Sequence, residues 1–196
     1  MVIVFVETNF LVDVLRPLPS HHALALLDRH GRGEVQLWLP WCCAAESART
    51  LPRVIDGDLG FADSMIRFAA AEYQRAPRSF DKSAIDALRD RARAAQRTAL
   101  ETLSDRIRAL VDRLNVIGPS PEVVNKTLRL FPVKQLNPFD EMVAGAVLAK
   151  ASELRGSGGQ PIYFCELDKD LSGTHPTLSK AYGEHGLTVL SSFRVP

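Results

Sequence analysis

Two rhythms of apolar residues alternate along the chain. Unbroken runs rich in branched and aromatic side chains occur at 2–6, 35–39, 162–165 and 187–190. Each has the length of a strand buried on both faces. Between the runs, apolar residues recur three and four apart. Phe10, Leu11, Val14 and Leu15 mark a short helix that Pro17 ends, and 21–30 predicts another, stopped by Gly31 and Gly33. A third helix is expected over 41–51. Asn137 and Pro138 open a further one, with Asn at the cap and Pro at the first helical position. Its small residues Ala144, Gly145, Ala146, Ala149 and Ala151 let a helix lie close to a sheet. Strands alternating with helices in this way predict an α/β fold with a mainly parallel central sheet covered on both faces.

The middle of the chain breaks the alternation. From 61 to 114 the pattern is almost wholly helical, with Leu103, Ile107, Leu110 and Leu114 on one face and Ile85, Leu88, Ala92, Ala95 and Ala99 extending it upstream. A periodic stretch of this length without a cap suggests a helical hairpin arm or a coiled-coil contact. Gly118, Pro119 and Pro121 close it. The expected organisation is one domain over 1–196 carrying a helical insertion at about 61–132.

Composition narrows the classes. The length of 196 residues suits one generous domain with a core that needs no covalent staples. A net charge of +1 gives no global field to attract a polyanion, so a nucleic-acid surface would have to be local. Cys42, Cys43 and Cys165 are odd in number and lack metal-knuckle spacing, which disfavours both a disulfide framework and a zinc site and predicts buried thiols. The opening MVIVFVETNF reads as a strand rather than a leader, and no segment has the apolar length of a membrane helix. A cytoplasmic location is the expectation.

Four acids stand where a parallel sheet would gather them. Glu7 follows the first strand, Glu46 lies in the helix after the second, Asp140 in the first turn after Asn137, and Asp168 just beyond the third run. Ligands of open parallel sheets bind beyond the carboxyl ends of the strands. Clustered carboxylates repel one another, and a hard divalent cation with oxygen ligands is the simplest compensation. Each acid also has a structural explanation. Glu7 and Asp140 suit helix starts, Glu46 could pair with Arg49, and Asp168 could be a solvated loop acid.

The stretches VFVETNFLVDVL, LWLPWCCAAES, NPFDEMVAGAVLAKA and YFCELDKDLS resemble, in order, the four motif regions of PIN-domain nucleases. The likeness covers about 1–50 and 135–192 and leaves out the helical middle. It implies a three-layer α/β/α sandwich and Mg2+- or Mn2+-dependent endoribonuclease activity, as in toxins of toxin–antitoxin pairs. By match, Glu7, Glu46, Asp140 and Asp168 would be the catalytic, metal-binding acids, with Asn9 and Asp170 in support. Three positions depart from the family pattern: Glu7 stands where Asp is usual, Glu166 where Thr is common, and Leu171 where Phe is usual.

Those departures motivate a rival, a PIN-like module that binds RNA or protein while cleaving weakly or not at all. A nucleotide-binding or phosphatase domain is a third class, disfavoured by the lack of a glycine-rich phosphate loop and of an Asp-x-Asp pair after the first strand. An RNA substrate would need cations. The arm offers Arg75, Arg78, Lys82, Arg89, Arg91, Arg93, Arg97, Arg106, Arg108 and Arg113, and Lys126, Arg129, Lys134 and Lys169 lie elsewhere. A salt-bridged, solvated helix face explains the arm equally well. A small antitoxin or a second copy of the chain are the other partners the arm would suit, and no membrane partner is expected.

Overall fold

The computed structural model describes residues 1–17, 19–75, 82–130, 136–156, 159–167, 170–171 and 176–196. The strands form where the apolar runs are longest. They are β1 (Val2–Val6), β2 (Val35–Pro40), β3 (Asn115–Ile117), β4 (Ile162–Cys165) and β5 (Leu187–Leu190). Val4, Phe5, Val6, Leu37, Leu39, Phe164 and Cys165 have no exposed surface, as strands covered on both faces require. All pairings are parallel, in the order β3-β2-β1-β4-β5.

The helices are α1 (Thr8–Leu15), α2 (His21–Gly31), α3 (Trp41–Arg75), α4 (Lys82–Glu101), α5 (Leu103–Val111), α6 (Pro121–Leu130), α7 (Pro138–Arg155) and α8 (Pro176–Glu184). The chain starts at the middle strand, runs out to β3, then returns past β1 to β4 and β5. Right-handed crossovers therefore place α1–α5 on one face and α6–α8 on the other. The packing of α1, α3 and α5 on one another, and of α6 on α7, agrees with this. The result is a three-layer α/β/α sandwich with enlarged helices in the middle of the chain. Its topological switch lies between β1 and β4, where successive crossovers diverge and leave a crevice.

Two features differ from the sequence expectation. The helix expected to stop at 51 continues through Pro52, Gly57 and Gly60 to Arg75. Helix breakers are overridden here by packing: Leu51 and Ile55 are fully buried, and Asp58 takes a two-pronged contact from Arg16, Nε at 3.1 Å and Nη2 at 2.6 Å. The second feature is β3, a three-residue edge strand directly after the helical stretch and inside the insertion expected at about 61–132. Three residues are too short to announce a period, and β3 is specified by its pairing to β2, with Asn115 Nδ2 donating to Leu37 O at 3.0 Å.

The arm is a hairpin of α3 and α4. Arg89, Ala92, Gln96 and Ala99 are half-buried along α4, whereas Leu88 is 56% exposed and Ala95 is exposed. The inner face is thus rotated from the one expected, because polar contacts across the hairpin, such as Gln96 Nε2 to Asp56 Oδ1 at 2.9 Å, share it with apolar ones. Downstream, Leu103, Ile107, Leu110 and Leu114 are all buried as expected.

The helices α6 and α7 approach most closely at Gly145, where an added Cβ would lie 2.8 Å from Thr127 N and 2.9 Å from Thr127 Cα. Backbone atoms cannot yield as a flexible side chain can. Gly145→Ala is expected to destabilise the fold by about 1–3 kcal/mol. Gly183→Ala in α8, with nothing within 4 Å of the new methyl group, should be neutral or stabilising by up to about 1 kcal/mol. Urea denaturation of the two variants measures the contrast, and equal midpoints would contradict the close approach.

Candidate functional site

The sheet register decides what meets at the switch point. Val6 and Cys165 are paired across β1 and β4. The next residues, Glu7 and Glu166, therefore leave the sheet side by side, at about the 4.8 Å spacing of neighbouring strands. The amide of Glu166 is held by Leu190 O at 2.9 Å, which continues the ladder toward β5. Trp41 starts α3 directly after Pro40 with no intervening loop, so Glu46 sits in the second turn of a helix springing from the same edge. Asn137 caps α7 and brings Asp140 into its first turn.

Glu7, Glu46, Asp140 and Glu166 line one pocket of about 90 Å3, together with Thr8, Asn9 and Leu171. Glu7 and Glu166 are buried, at 6% and 2% exposure, while Glu46 and Asp140 are half-buried. Two larger cavities hold charges that are already paired. One of about 490 Å3 beside β3 contains Lys150 and Glu153, 2.6 Å apart. One of about 280 Å3 in the arm contains Arg89 and Asp63.

Three of the acids also hold the local fold. Glu7 is the N-cap of α1 and its Oε2 accepts from Asn9 N at 2.7 Å. The Thr8 hydroxyl donates to Glu46 Oε2 and so ties α1 to α3. Asn137 Nδ2 donates to Asp140 Oδ2 at 2.6 Å, while Asn137 Oδ1 accepts from Phe139 N and Asp140 N at 2.9 and 3.0 Å. Such caps and braces are typically worth about 1–2 kcal/mol each.

Of the residues named from sequence, Glu7, Asn9, Glu46 and Asp140 come together. Asp170 is exposed and is not a lining residue of the pocket. Asp168 lies outside the described residues, as do Lys169, Lys134 and Arg78 of the basic positions. In the sequence Glu166 stands out only as a departure from the family pattern, where Thr is common. The signal that finds it is positional: it is the first residue after β4, as Glu7 is after β1. Among the arm's arginines, Arg89 contacts Asp63 and Asp86, and Arg106 Nη2 donates to Leu15 O at 2.7 Å. Arg91, Arg93 and Arg97 are exposed.

The donor set fits a hard cation in kind, since carboxylate, hydroxyl and amide oxygens surround the pocket. In arrangement, no group of three or more His, Cys, Asp or Glu side chains among the described residues is disposed to hold a metal ion. No protein-family model matches the chain, and no curated protein matches it.

The pocket's negative field reaches the core around it. Burial, and then the Glu7 charge, push the Cys165 thiol from 9.0 up to about 12. Burial, followed by Glu166 and then Asp140, also raises the Tyr182 hydroxyl, which donates to Leu171 O at 3.1 Å. Both groups stay neutral in the fold. In the unfolded chain the Cys165 thiol ionises near 9, so its contribution to stability is fully present below that pH and is lost as pH rises toward 12. Cys165→Ala should remove about one proton from the pH dependence of stability in that window, about 1.4 kcal/mol per pH unit. Urea midpoints at pH 8, 9.5 and 11 measure it, and identical slopes for the two proteins would contradict the raised thiol.

Proposed function

We propose that this chain is a PIN-like module that binds RNA or a protein partner and cleaves RNA weakly or not at all. The observation that carries the reading is the use of the pocket's acids as local structural groups. Asn9 N–H holds Glu7, the Thr8 hydroxyl holds Glu46, and the Asn137 amide holds Asp140. A carboxylate serving as a cap or brace has one oxygen committed to the fold, and turning that oxygen to a cation would cost the bond. The longer side chain of Glu7, where Asp is usual in PIN-domain nucleases, is spent on reaching back to its own helix. The α/β/α architecture supports the reading without being specific to that family.

A second reading, a Mg2+- or Mn2+-dependent endoribonuclease, is favoured by a different observation: acids from β1, α3, α7 and the end of β4 share one pocket at the switch point. In that reading Glu7, Glu46, Asp140 and Asp168 would hold the ion, with Asn9 bracing Glu7. When bound, such an ion supplies an acidified water and neutralises charge on the phosphoryl oxygens. The chain's own contribution would be to orient the carboxylates through Thr8, Asn9 and Asn137 and to keep the pocket small.

Incubating end-labelled single-stranded RNA with the protein, in Mn2+ or in EDTA, separates the readings. The expected outcome is RNA largely intact in both and indistinguishable between wild type and Glu7→Gln. Losing a required ligand of a true nuclease would slow cleavage on the order of 10²-fold or more. Rapid Mn2+-dependent cleavage abolished in both Glu7→Gln and Asp168→Asn would overturn the proposal and establish the second reading.

A further inference from the structure

Away from the acid pocket, positive charge gathers between α6, α7 and α8. A cavity of about 330 Å3 opens between α6, α7 and α8, lined by Lys126, Arg129, Lys180 and His185 among others. Lys126 is half-buried, and its Nζ lies 3.0 Å from His185 Nε2. At that distance the imidazole is neutral and accepts from the ammonium. Burial and then the Lys126 charge hold His185 below its ordinary range. Among the described residues Glu184 is the one carboxylate of the lining, and Lys180 reaches it only loosely, Nζ to Oε1 at 3.9 Å. The imbalance is local, in a chain whose net charge is only +1.

The cavity runs along one face of α8, from Thr177 in its first turn through Lys180 and Ala181 to Glu184 and His185, and the Thr177 hydroxyl adds a neutral donor to the lining. Leu148 on the cavity floor is five residues along α7 from Val143, which lines the acid pocket. The two sites thus lie about 7.5 Å apart along one helix axis.

We propose that the α6–α7–α8 cavity binds backbone phosphates of single-stranded RNA, with Lys126, Arg129 and Lys180 as the contacting cations. The inference deepens the RNA-binding form of the function proposed above and rests on it. Among the described residues, no Phe, Tyr or Trp lines the cavity. Base stacking therefore contributes little, and binding is insensitive to sequence and steeply sensitive to salt.

The test measures the affinity of a fluorescent 12-nucleotide oligouridine by anisotropy between 50 and 200 mM salt. Proteins compared are the wild type, a Lys126→Gln/Arg129→Gln/Lys180→Gln variant, and an arm variant, Arg91→Gln/Arg93→Gln/Arg97→Gln, that removes equal charge from exposed positions. An acidic peptide of equal charge is run beside the RNA. For three phosphate contacts, the cavity variant should make the slope of log affinity against log salt shallower by about 2 and weaken binding at least about tenfold at low salt. The arm variant should stay within about twofold of wild type. Circular dichroism establishes that both variants are folded, and a single Arg129→Gln change, at an exposed side chain, serves if the triple is not. Wild-type binding left intact by the cavity variant overturns this inference alone. Wild-type protein that ignores RNA and holds the acidic peptide overturns both the inference and the RNA-binding form of the parent reading.

Discussion

Parallel pairing of β1 with both β2 and β4 is the constraint on which the rest of the molecule depends. It puts Val6, Pro40 and Cys165 at one edge of the sheet, and whatever follows each strand is delivered to that edge. Because β1 and β4 are in register at Val6 and Cys165, Glu7 and Glu166 must emerge as neighbours. Burying two carboxyl groups so close together is costly unless their oxygens find donors or their charge is shared. For Glu7 the fold answers with the Asn9 amide, and the half-buried acids beside it have local donors as well, the Thr8 hydroxyl on Glu46 and the Asn137 side chain on Asp140. The site and the starts of α1 and α7 are therefore the same set of atoms, and changing one changes the other.

Charge is segregated along α7. Its N-terminal end carries Asp140 into the acid pocket, while further along the same helix Leu148 floors the cavity where Lys126, Arg129 and Lys180 meet. The close approach of α6 to α7 at Gly145 seats Lys126 and Arg129 of α6 against that helix. On the opposite face the long α3 and its partner α4 pair charges with each other and within themselves, as Arg67 with Asp63 and Arg89 with Asp63 and Asp86 show. The arm's arginines thus act largely as a solvated, ion-paired surface. In the proposed function it is the α6–α7–α8 face, rather than the arm, that meets RNA.

Much of this was legible in the residues, and what was not has physical causes. The strands at 2–6, 162–165 and 187–190 announce themselves as unbroken apolar runs and form with those bounds. The cap at Asn137 is explicit in the Asn-Pro pair and its side chain accepts the expected bonds. The edge strand β3 was hidden because three residues carry no period and owe their conformation to β2. The continuity of α3 was hidden because Pro52 and two glycines are local punctuation, overruled by the burial of Leu51 and Ile55. Glu166 was undervalued because motif likeness drew attention to Asp168. The register of β1 against β4, which no single run of residues reveals, is what sets Glu166 beside Glu7.

The most direct measurement is a crystal structure grown in Mn2+, with anomalous scattering recorded at the manganese edge. The account predicts Glu7, Glu46, Asp140 and Glu166 around one pocket, the Asn9–Glu7 and Thr8–Glu46 hydrogen bonds retained, and no strong anomalous peak among them. A fully occupied manganese site with those bonds broken and the carboxylates turned onto the ion would contradict it.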